Sequence, residues 1–375
     1  MVRLRLRHLG AMAAVLAAAG CGSSGSSTAP RTTPPPSPAS EQFGANTGLL
    51  FNSRLYPPAQ IAAQLQALRQ AGATVSRADA PWETAEPAPP SGGTHRYSWA
   101  FDDTIAGSLA AQGLRWLPII DYSAPWAQSV PGQDHSPPSS PADYAAYAAA
   151  LAGRYGPGGS FWRGHPELPP QPVDTYEIWN EPDNTSFWKP APNPAVYADL
   201  YQRSRDAIAS LQPAAHVIVG GLTHPTEFLP ALLAAAPGLR GHVDGVAIHP
   251  YGATPAAVLG RARDARTVLR SLGLYDVPLY VTEFGWTTKP PGALDYLPAR
   301  LRPAYIEQTL AALGHTNCGV SAVMLYAWVT PERNPPDSQD WFGIHPPGGG
   351  SPPDTTAFVR GLSAAGSPAP PQAVC

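Results

Sequence analysis

Short apolar runs alternate with longer alanine-rich stretches along the chain from about residue 44. The short runs have the length and β-branched content of buried strands, whereas the longer stretches have helical length and spacing. The expected strands are Thr47–Phe51, Thr74–Ala78, Arg115–Asp121, Thr175–Trp179, His216–Gly220, Gly245–His249, Leu279–Thr282 and Ser321–Ala327. The expected helices are Ala59–Ala71, Phe101–Gln112, Pro141–Tyr155, Pro194–Leu211, Thr226–Ala236, Ala256–Leu272, Leu301–Leu313 and Thr355–Leu362.

Eight strands that are each followed by a helix match the count of a (β/α)8 barrel. An open doubly wound sheet would give the same alternation, but no Gly-rich phosphate turn follows the first strand. We therefore predict an α/β chain whose residues 42–363 form a (β/α)8 TIM barrel, followed by a C-terminal tail, residues 364–375.

The loops that follow strands are long and aromatic, whereas the connections from helix to strand are short. The long loops are Pro81–Ser98, Ser123–Ser140, Pro182–Asn193, Thr287–Arg300 and Val329–Pro352. In a barrel, all such loops lie at the C-terminal face of the strands, where active sites are built. The sequence therefore predicts enlarged loops at that face and a functional site among them.

The first residues have the pattern of an export signal. Arg3, Arg5 and Arg7 precede an apolar stretch, Leu9–Ala19, that is too short to span a bilayer. Ala18-Ala19-Gly20-Cys21 then resembles a bacterial lipobox, although Ala18 stands where Leu is usual. We expect residues 1–21 to be a signal peptide and residues 22–41, rich in Ser, Thr and Pro, to be a disordered spacer. Lipidation of Cys21 would tether the protein to a membrane outside the cytoplasm, and ordinary cleavage would leave it secreted.

Two further cysteines, Cys318 and Cys375, lie far apart in the sequence. Export permits a disulfide between them, which would hold the C-terminal tail. Two unpaired thiols remain the alternative at this stage.

Composition, net charge and missing motifs argue against several classes of function. Of 375 residues, 43% are hydrophobic and 14% are charged, and the formal net charge is -3 at pH 7. We expect a large core and no nucleic-acid partner, because the chain offers no broad basic surface. The sequence contains no His-Glu-x-x-His, no closely spaced Cys/His cluster and no Gly-x-Ser-x-Gly. We therefore expect neither a metal nor another cofactor.

Two glutamates end apolar runs that we assign to the fourth and seventh strands. Glu181 lies in Trp179-Asn180-Glu181-Pro182, where the proline stops strand pairing. Glu283 continues the row of Leu279 and Val281, which alternate onto one face of their strand. Two carboxyl groups that lie close together at the C-terminal face of a barrel are the pair of groups that glycoside hydrolysis requires.

These motifs resemble those of clan A glycoside hydrolases, which are retaining enzymes on (β/α)8 barrels. Members of the family 5 type carry an arginine on strand two, an Asn-Glu pair ending strand four, a His-x-Tyr on strand six and a tryptophan ending strand eight. The corresponding residues here are Arg77, Asn180-Glu181, His249-Pro250-Tyr251 and Trp328. The resemblance covers nearly the whole chain after the signal segment.

Family 39 glycoside hydrolases are similar in further segments. Asp79-Ala80-Pro81-Trp82-Glu83, Tyr97-Ser98-Trp99 and Phe187-Trp188 are typical of that group. Family 5 enzymes end strand three with a histidine, whereas this chain has Asp121-Tyr122 there. The departure favours family 39 over family 5.

The resemblance implies a double-displacement mechanism with Glu283 as nucleophile and Glu181 as acid/base. It also implies that Asn180 binds the sugar 2-hydroxyl and that Arg77 and Tyr251 orient Glu283. Arg77 could instead be a structural partner of Glu177, and His249 could be an interior histidine rather than a substrate ligand.

Tryptophans are the expected sugar platforms, because aromatic faces stack on the C–H faces of sugars. Trp328 is the first candidate, and Trp126, Trp188 and Trp286 are others, of which some would only anchor loops.

The sequence thus predicts a monomeric, extracytoplasmic retaining hydrolase of β-glycosidic bonds in a polysaccharide or oligosaccharide. The alternative is a catalytically inactive carbohydrate-binding lipoprotein on the same barrel. Both glutamates argue for the enzyme, since a binding protein needs neither an acid nor a nucleophile.

Overall fold

The computed structural model describes residues 42–375 of the chain. The predicted signal segment, residues 1–21 with Cys21, and the predicted spacer, residues 22–41, lie outside the described residues. Within the described residues, no helix is long and apolar enough to cross a membrane.

Eight parallel strands close into a barrel in sequence order, β1 to β8, within residues 42–375. β1 pairs with β2 on one side and with β8 on the other, so the sheet has no free edge. The strands are β1 Gln42–Asn46, β2 Val75–Pro81, β3 Arg115–Asp121, β4 Thr175–Ile178, β5 His216–Leu222, β6 Gly245–Ile248, β7 Leu279–Val281 and β8 Val320–Leu325. The predicted (β/α)8 TIM barrel is confirmed.

The first strand was expected in the wrong place. The apolar run Thr47–Phe51 forms a 3-10 turn at Gly48–Phe51, which buries Leu50 and Phe51. The strand precedes it at Gln42–Asn46, a segment whose glycine made it a poor strand candidate. Gly44 is needed there because a Cβ at this position would lie 1.9 Å from the Val75 carbonyl oxygen of β2.

Helices follow the strands and cover the outside of the barrel. They are α1 Pro58–Gln70, α2 Trp82–Ala85, α3 Ala100–Ala111, α4 Pro141–Tyr155, α5 Ser160–Gly164, α6 Pro194–Leu211, α7 Pro225–Ala235, α8 Pro255–Ser271, α9 Arg302–Gly314 and α10 Pro353–Ala365. Proline opens most of the long helices, because its fixed φ suits the first turn and its missing N–H has no partner there. Sequence reasoning found the eight long helices and missed the short α2 and α5.

The barrel interior is a packed layer of small and branched side chains. Its members are Val75, Leu117, Ile218, Ala247, Tyr280, Ala322 and Met324, one or two from most strands. A larger core lies between the strands and the helices. Because the interior is filled, the open space lies above it, among the long loops at the C-terminal ends of the strands.

The C-terminal tail is fixed to the barrel by a disulfide between Cys318 and Cys375. Asn317 Oδ1 accepts hydrogen bonds from the backbone N–H groups of Val374, at 2.9 Å, and Cys375, at 2.7 Å. The alternative of two free thiols is therefore excluded.

Candidate active site

A cavity of about 1570 Å³ opens at the C-terminal face of the barrel. Six residues predicted from sequence line it together: Arg77, Asn180, Glu181, His249, Tyr251 and Glu283. Arg77 lies within β2, and the other five follow the C-terminal ends of β4, β6 and β7 by one to three residues. The barrel thus gathers side chains that are up to about two hundred positions apart in sequence.

Arg77 forms the centre of the site's hydrogen-bond network and is 1% exposed. Its Nε and Nη2 donate to Glu177 at 2.7 and 3.0 Å, and Nη1 donates to Glu283 at 2.6 Å. The remaining bonds go to the Oδ1 atoms of Asn46 and Asn180, both at 2.9 Å. Burial disfavours the cation, but Glu177 and Glu283 outweigh burial and raise the pKa of Arg77. Arg77 is therefore both the structural partner of Glu177 and the group that orients Glu283.

Glu283 receives a strong hydrogen bond on each carboxyl oxygen. Arg77 donates to Oε1, and the Tyr251 hydroxyl donates to Oε2 at 2.6 Å. Burial alone would raise the pKa of Glu283, but His249, Arg77 and Tyr251 together hold it below the usual range. Glu283 is therefore kept ionised and fixed in orientation, as a nucleophile requires.

Glu181 has weaker, uncharged or titratable partners. Its Oε2 accepts from the Asn184 amide at 2.7 Å, and its Oε1 lies 2.8 Å from His249 Nδ1. The backbone of Glu181 is left-handed, with φ 46°, as is that of Trp179, with φ 65°. Such a conformation costs about 1–3 kcal/mol in a residue with a side chain and is concentrated at functional sites. The turn aims Glu181 into the cavity directly after β4 ends.

His249 lies between the two glutamates. Its Nδ1 is 2.8 Å from Glu181 and 3.7 Å from Glu283, and its Nε2 is 3.1 Å from Thr282 Oγ1. Burial opposes protonation, but the two carboxyls outweigh burial and raise the pKa of His249. Gly221 permits this packing, because a Cβ there would lie 2.0 Å from His249 Nε2. His249 is thus an interior histidine that also contacts the acid/base candidate.

The two predicted glutamates face each other at short range. One oxygen of Glu181, one of Glu283 and a ring nitrogen of His249 all lie within 4.8 Å of one another. Three such atoms could in principle bind a metal ion. The Arg77 cation, 2.6 Å from Glu283, disfavours a second cation at that position. The arrangement suits proton transfer and nucleophilic attack better than metal binding.

None of the four predicted tryptophans lines the cavity: Trp188, Trp286 and Trp328 are buried and Trp126 is half-buried, which corrects the expectation that some of them form sugar platforms. Trp328 has no exposed surface; it stacks on His345 at 4.7 Å, and its Nε1 donates to the Gln64 carbonyl at 3.1 Å. Trp126 and Trp286 donate to backbone carbonyls of Glu86 and Gly252, both at 2.8 Å.

Trp188 is 1% exposed and packs edge-on against Trp179 at 5.2 Å. The indole N–H groups of Trp126, Trp286 and Trp328 donate to backbone oxygens and Trp188 packs on another ring, so these side chains stabilise loops.

Smaller aromatic side chains line the cavity instead. They include Tyr122, Phe187, Tyr326 and Phe342. Tyr122 and Tyr326 each follow directly on a strand, β3 and β8, and this position is the signal by which sequence reasoning could have found them. Asn184 and Gly221 gave no such signal, because their contacts depend on loop and strand packing.

No family model matches the sequence. Over 160 residues the chain is 27% identical to a β-xylosidase of Geobacillus stearothermophilus, which covers 37% of this chain. The match spans 31% of the length of that enzyme, less than a third.

Solved structures with the same fold include glycoside hydrolases. The GH39 enzyme from Xanthomonas axonopodis pv. citri has a TM-score of 0.66 at 18% identity, over 87% of this chain and 67% of its own. A monomeric β-xylosidase from Caulobacter crescentus CB15 has a TM-score of 0.66 at 20% identity, over 87% of this chain and 68% of its own. A GH5_18 enzyme from Bifidobacterium longum subsp. infantis has a TM-score of 0.63 at 13% identity, over 88% of this chain and 80% of its own. Family 39 and family 5 glycoside hydrolases, which the sequence resembles, are thus among the structural neighbours, and at these identities the likeness shows the shared barrel fold.

Proposed function

We propose that this protein is a retaining glycoside hydrolase that cleaves β-O-glycosidic bonds by double displacement. One observation carries the proposal: one carboxyl oxygen of Glu181 and one of Glu283 lie within 4.8 Å of each other in one cavity, and the two carboxyls have different hydrogen-bond partners. Retaining enzymes hold their two carboxyls about 5–5.5 Å apart, whereas inverting enzymes leave about 6.5–9.5 Å for a water molecule.

In the first step, an oxygen of ionised Glu283 attacks the anomeric carbon. The bond from that carbon to the leaving oxygen breaks, and Glu181 gives its proton to the leaving oxygen. The product is a sugar bound covalently to Glu283, and Glu181 is now ionised.

In the second step, a water molecule attacks the same carbon from the side that the leaving group vacated. Glu181 takes a proton from the water, the bond to Glu283 breaks, and both carboxyls return to their first state. Two inversions at the anomeric carbon give net retention of configuration.

Asn180 supports both steps through an orientation that Arg77 sets. Arg77 Nη2 donates to Asn180 Oδ1 at 2.9 Å, so the amide group of Asn180 has its two N–H donors directed away from Arg77, one of them toward Tyr122. Asn180 lines the cavity beside Glu181, so its N–H can hold the sugar 2-hydroxyl. This contact strengthens as charge develops at the anomeric carbon.

We propose an oligosaccharide or polysaccharide as the substrate. The cavity volume of about 1570 Å³ exceeds the roughly 300–1,000 Å³ of sites for single small molecules. The partial sequence match to a β-xylosidase makes β-xylosides the first substrates to try.

We further propose that the protein acts as a monomer outside the cytoplasm, tethered through lipidated Cys21 or secreted. The arginine-rich and apolar start of the chain supports export. The Cys318–Cys375 disulfide supports an oxidising compartment.

The test is the configuration of the first product, followed by proton NMR on aryl β-glycosides and defined oligosaccharides. The proposal expects the β-anomer to form first and to mutarotate later. Initial release of the α-anomer would exclude double displacement. Binding of glycans with no turnover of any of them would favour the carbohydrate-binding alternative.

A further inference from the structure

A second pair of carboxyls, Asp79 and Asp121, lies at the ends of β2 and β3. In the register of these strands Asp79 is opposite Ile119, so Asp121 is two positions further along. Side chains two positions apart point to the same side of a sheet, which places the two carboxyls next to each other. Asp121 is 2% exposed, whereas Asp79 lines the cavity and is exposed to it.

Each of the two carboxyls shifts the pKa of the other, as expected of neighbouring acids. Desolvation within the cavity raises the pKa of Asp79 against the opposing charge of Arg77, and burial together with the charge of Asp79 raises the pKa of Asp121 well above its usual range. Two neighbouring carboxylates cannot both stay ionised, so one carries a proton. Asp121 is the more buried of the two and is the better site for this proton, which leaves the charge on Asp79, toward the cavity.

Arg77, on the same strand, favours the charged form of Asp79 but makes no hydrogen bond to it. A guanidinium has five N–H donors. Arg77 makes hydrogen bonds to Glu177, Glu283, Asn46 and Asn180, which use its donors. The acceptor sites of Asp79 that face the cavity are therefore available to a ligand.

Gly48 closes the other side of Asp79. A Cβ at Gly48 would lie 2.4 Å from Asp79 Oδ2, so the backbone after β1 packs directly on the carboxylate. Asp79 is thus held between Asp121 and Gly48 with one open direction, toward the cavity.

The order of the strands places Asp79 relative to the sugar. β3 and then β2 follow β4 around the barrel, so Asp79 lies beyond Asn180 on the side away from β5. In the proposed function Asn180 holds the 2-hydroxyl of the reacting sugar. The ring hydroxyls that come next along that direction are those at positions 3 and 4.

We propose that Asp79 accepts hydrogen bonds from the 3- and 4-hydroxyls of the sugar that Glu283 attacks, with Asp121 as its positioning residue. The inference rests on the proposed function and extends it to specificity. A carboxylate suits two adjacent hydroxyls, because each of its oxygens can accept one of them. Both hydroxyls must be free, so the bound unit is the terminal residue of a 3- or 4-linked chain.

Deoxy substrates test the contact with Asp79. The 4-nitrophenyl β-glycosides of xylose, glucose and galactose are compared first, and the fastest is then used with its 3-deoxy and 4-deoxy analogues. We expect the wild type to lose at least about 100-fold in kcat/KM on each analogue, since a site built for hydroxyls rejects sugars that lack them. On the parent glycoside, the kcat/KM of Asp79→Asn should be lower than that of the wild type by a similar factor. Within Asp79→Asn, kcat/KM on each deoxy analogue should be less than about threefold below kcat/KM on the parent glycoside.

Equal deoxy penalties in the wild type and in Asp79→Asn would overturn the inference while leaving the glycosidase assignment intact. If the wild type is inactive on every glycoside, both the inference about Asp79 and the proposed glycosidase function are contradicted. If Asp79→Asn does not fold, Gly48→Ala displaces the same carboxylate by steric contact and should give the same loss of discrimination between parent and deoxy glycosides.

The pH dependence of KM tests Asp121. The charged and titratable groups that face the pair are Arg77, Glu177, Glu283, Tyr122, Tyr144, Tyr147 and Tyr326. Asp121→Asn supplies a permanent N–H donor to Asp79, whereas Asp121→Leu supplies none. We expect KM to rise at alkaline pH in the wild type and not in Asp121→Asn, and to be raised at all pH values in Asp121→Leu. The same KM profile in both variants would contradict the positioning role.

Discussion

The two glutamates of the site are alike in sequence context and different in surroundings. Glu283 accepts from a fully buried arginine and from a tyrosine hydroxyl, both at 2.6 Å. Glu181 contacts an amide and a histidine instead, and neither is a permanent cation. Only the first environment holds a fixed positive charge against its carboxyl.

This difference teaches how one barrel could give two roles to the same residue type. The permanent cation, Arg77, contacts Glu283, the proposed nucleophile. The titratable group, His249, makes its shorter contact with Glu181, the proposed acid/base. A glutamate carboxyl can act either as a nucleophile or as an acid and base. In this account, the neighbouring side chains favour one of these two uses for each glutamate.

The largest expected effect is the loss of either carboxyl. Glu283→Gln and Glu181→Gln should each lower kcat/KM by about 10³-fold or more, because each removes a reacting group. The check is the rate of hydrolysis of the best aryl β-glycoside, with folding followed by circular dichroism. Glu307→Gln is the control, since Glu307 lies on the surface, 3.9 Å from Arg360.

Azide separates the two roles. In Glu283→Ala, azide should replace the nucleophile and give the α-glycosyl azide from an aryl β-glycoside. In Glu181→Ala it should attack the covalent intermediate and give the β-glycosyl azide. The same azide product from both variants would break the comparison.

Arg77→Lys is the next test in size. A lysine keeps the charge but cannot bridge Glu177, Glu283, Asn46 and Asn180 together. We expect kcat/KM to fall about 100-fold and the free energy of unfolding to fall by about 3 kcal/mol, the lower end for breaking a buried pair. Urea unfolding and kinetics measure both, and Arg203→Lys, in an exposed pair with Asp199, is the control. Wild-type activity in Arg77→Lys would show that the cation does not hold Glu283.

Tyr251→Phe should change pH dependence more than rate. The Tyr251 hydroxyl is one of the groups that hold the pKa of Glu283 low, so its removal raises that pKa. The acid limb of kcat/KM should therefore move to higher pH, with a loss of about tenfold near neutrality. A pH profile beside that of Tyr275→Phe, an exposed tyrosine, measures the shift. An unmoved acid limb would mean that Glu283 does not control it.

The buried carboxyl of Asp102, outside the cavity, extends the comparison of carboxyl environments. Its effect is expected on the free energy of unfolding and not on activity. Asp102 in α3 is fully buried, and neither of its oxygens has a partner among the described residues. Burial raises the pKa of Asp102 from 3.8 to about 7. The folded state thus binds this proton more tightly than the unfolded state, so stability falls as pH rises from about 4 to 7 and then levels off.

Asp102→Asn should remove that dependence with no effect on activity. Relative to the wild type, the variant should gain about 2–4 kcal/mol in free energy of unfolding between pH 4 and pH 8. Urea unfolding at several pH values measures the gain, with exposed Asp264→Asn as control. Parallel pH curves for Asp102→Asn and the wild type would contradict an unpartnered, protonated Asp102.

The position of the two glutamates was predictable because strand ends can be recognised in the sequence. Glu181 and Glu283 each end an apolar run, and the barrel brings all such ends to one face. The roles proposed for them also depend on Arg77, within β2, and on Tyr251, after β6, which belong to recognisable motifs.

The cavity lining was less predictable. Tryptophan is the residue expected on a sugar platform, yet Trp328 and Trp188 are fully buried here. Whether an aromatic ring faces a cavity or supports a loop depends on where its N–H finds an acceptor, which sequence does not show. The first strand was misplaced for a related reason, since Gly44 is required by close packing against β2 and not by local propensity.

The most direct test of the account is the trapping of the glycosyl-enzyme with a 2-deoxy-2-fluoro aryl β-glycoside of the best substrate sugar. The fluorine slows both the formation and the hydrolysis of the glycosyl-enzyme. The good aryl leaving group speeds formation again, so the intermediate should accumulate. Mass spectrometry should show one sugar per chain, attached within the peptide that contains Glu283. Absence of a covalent sugar on an enzyme that turns over the parent glycoside, or a sugar on any other residue, would contradict it.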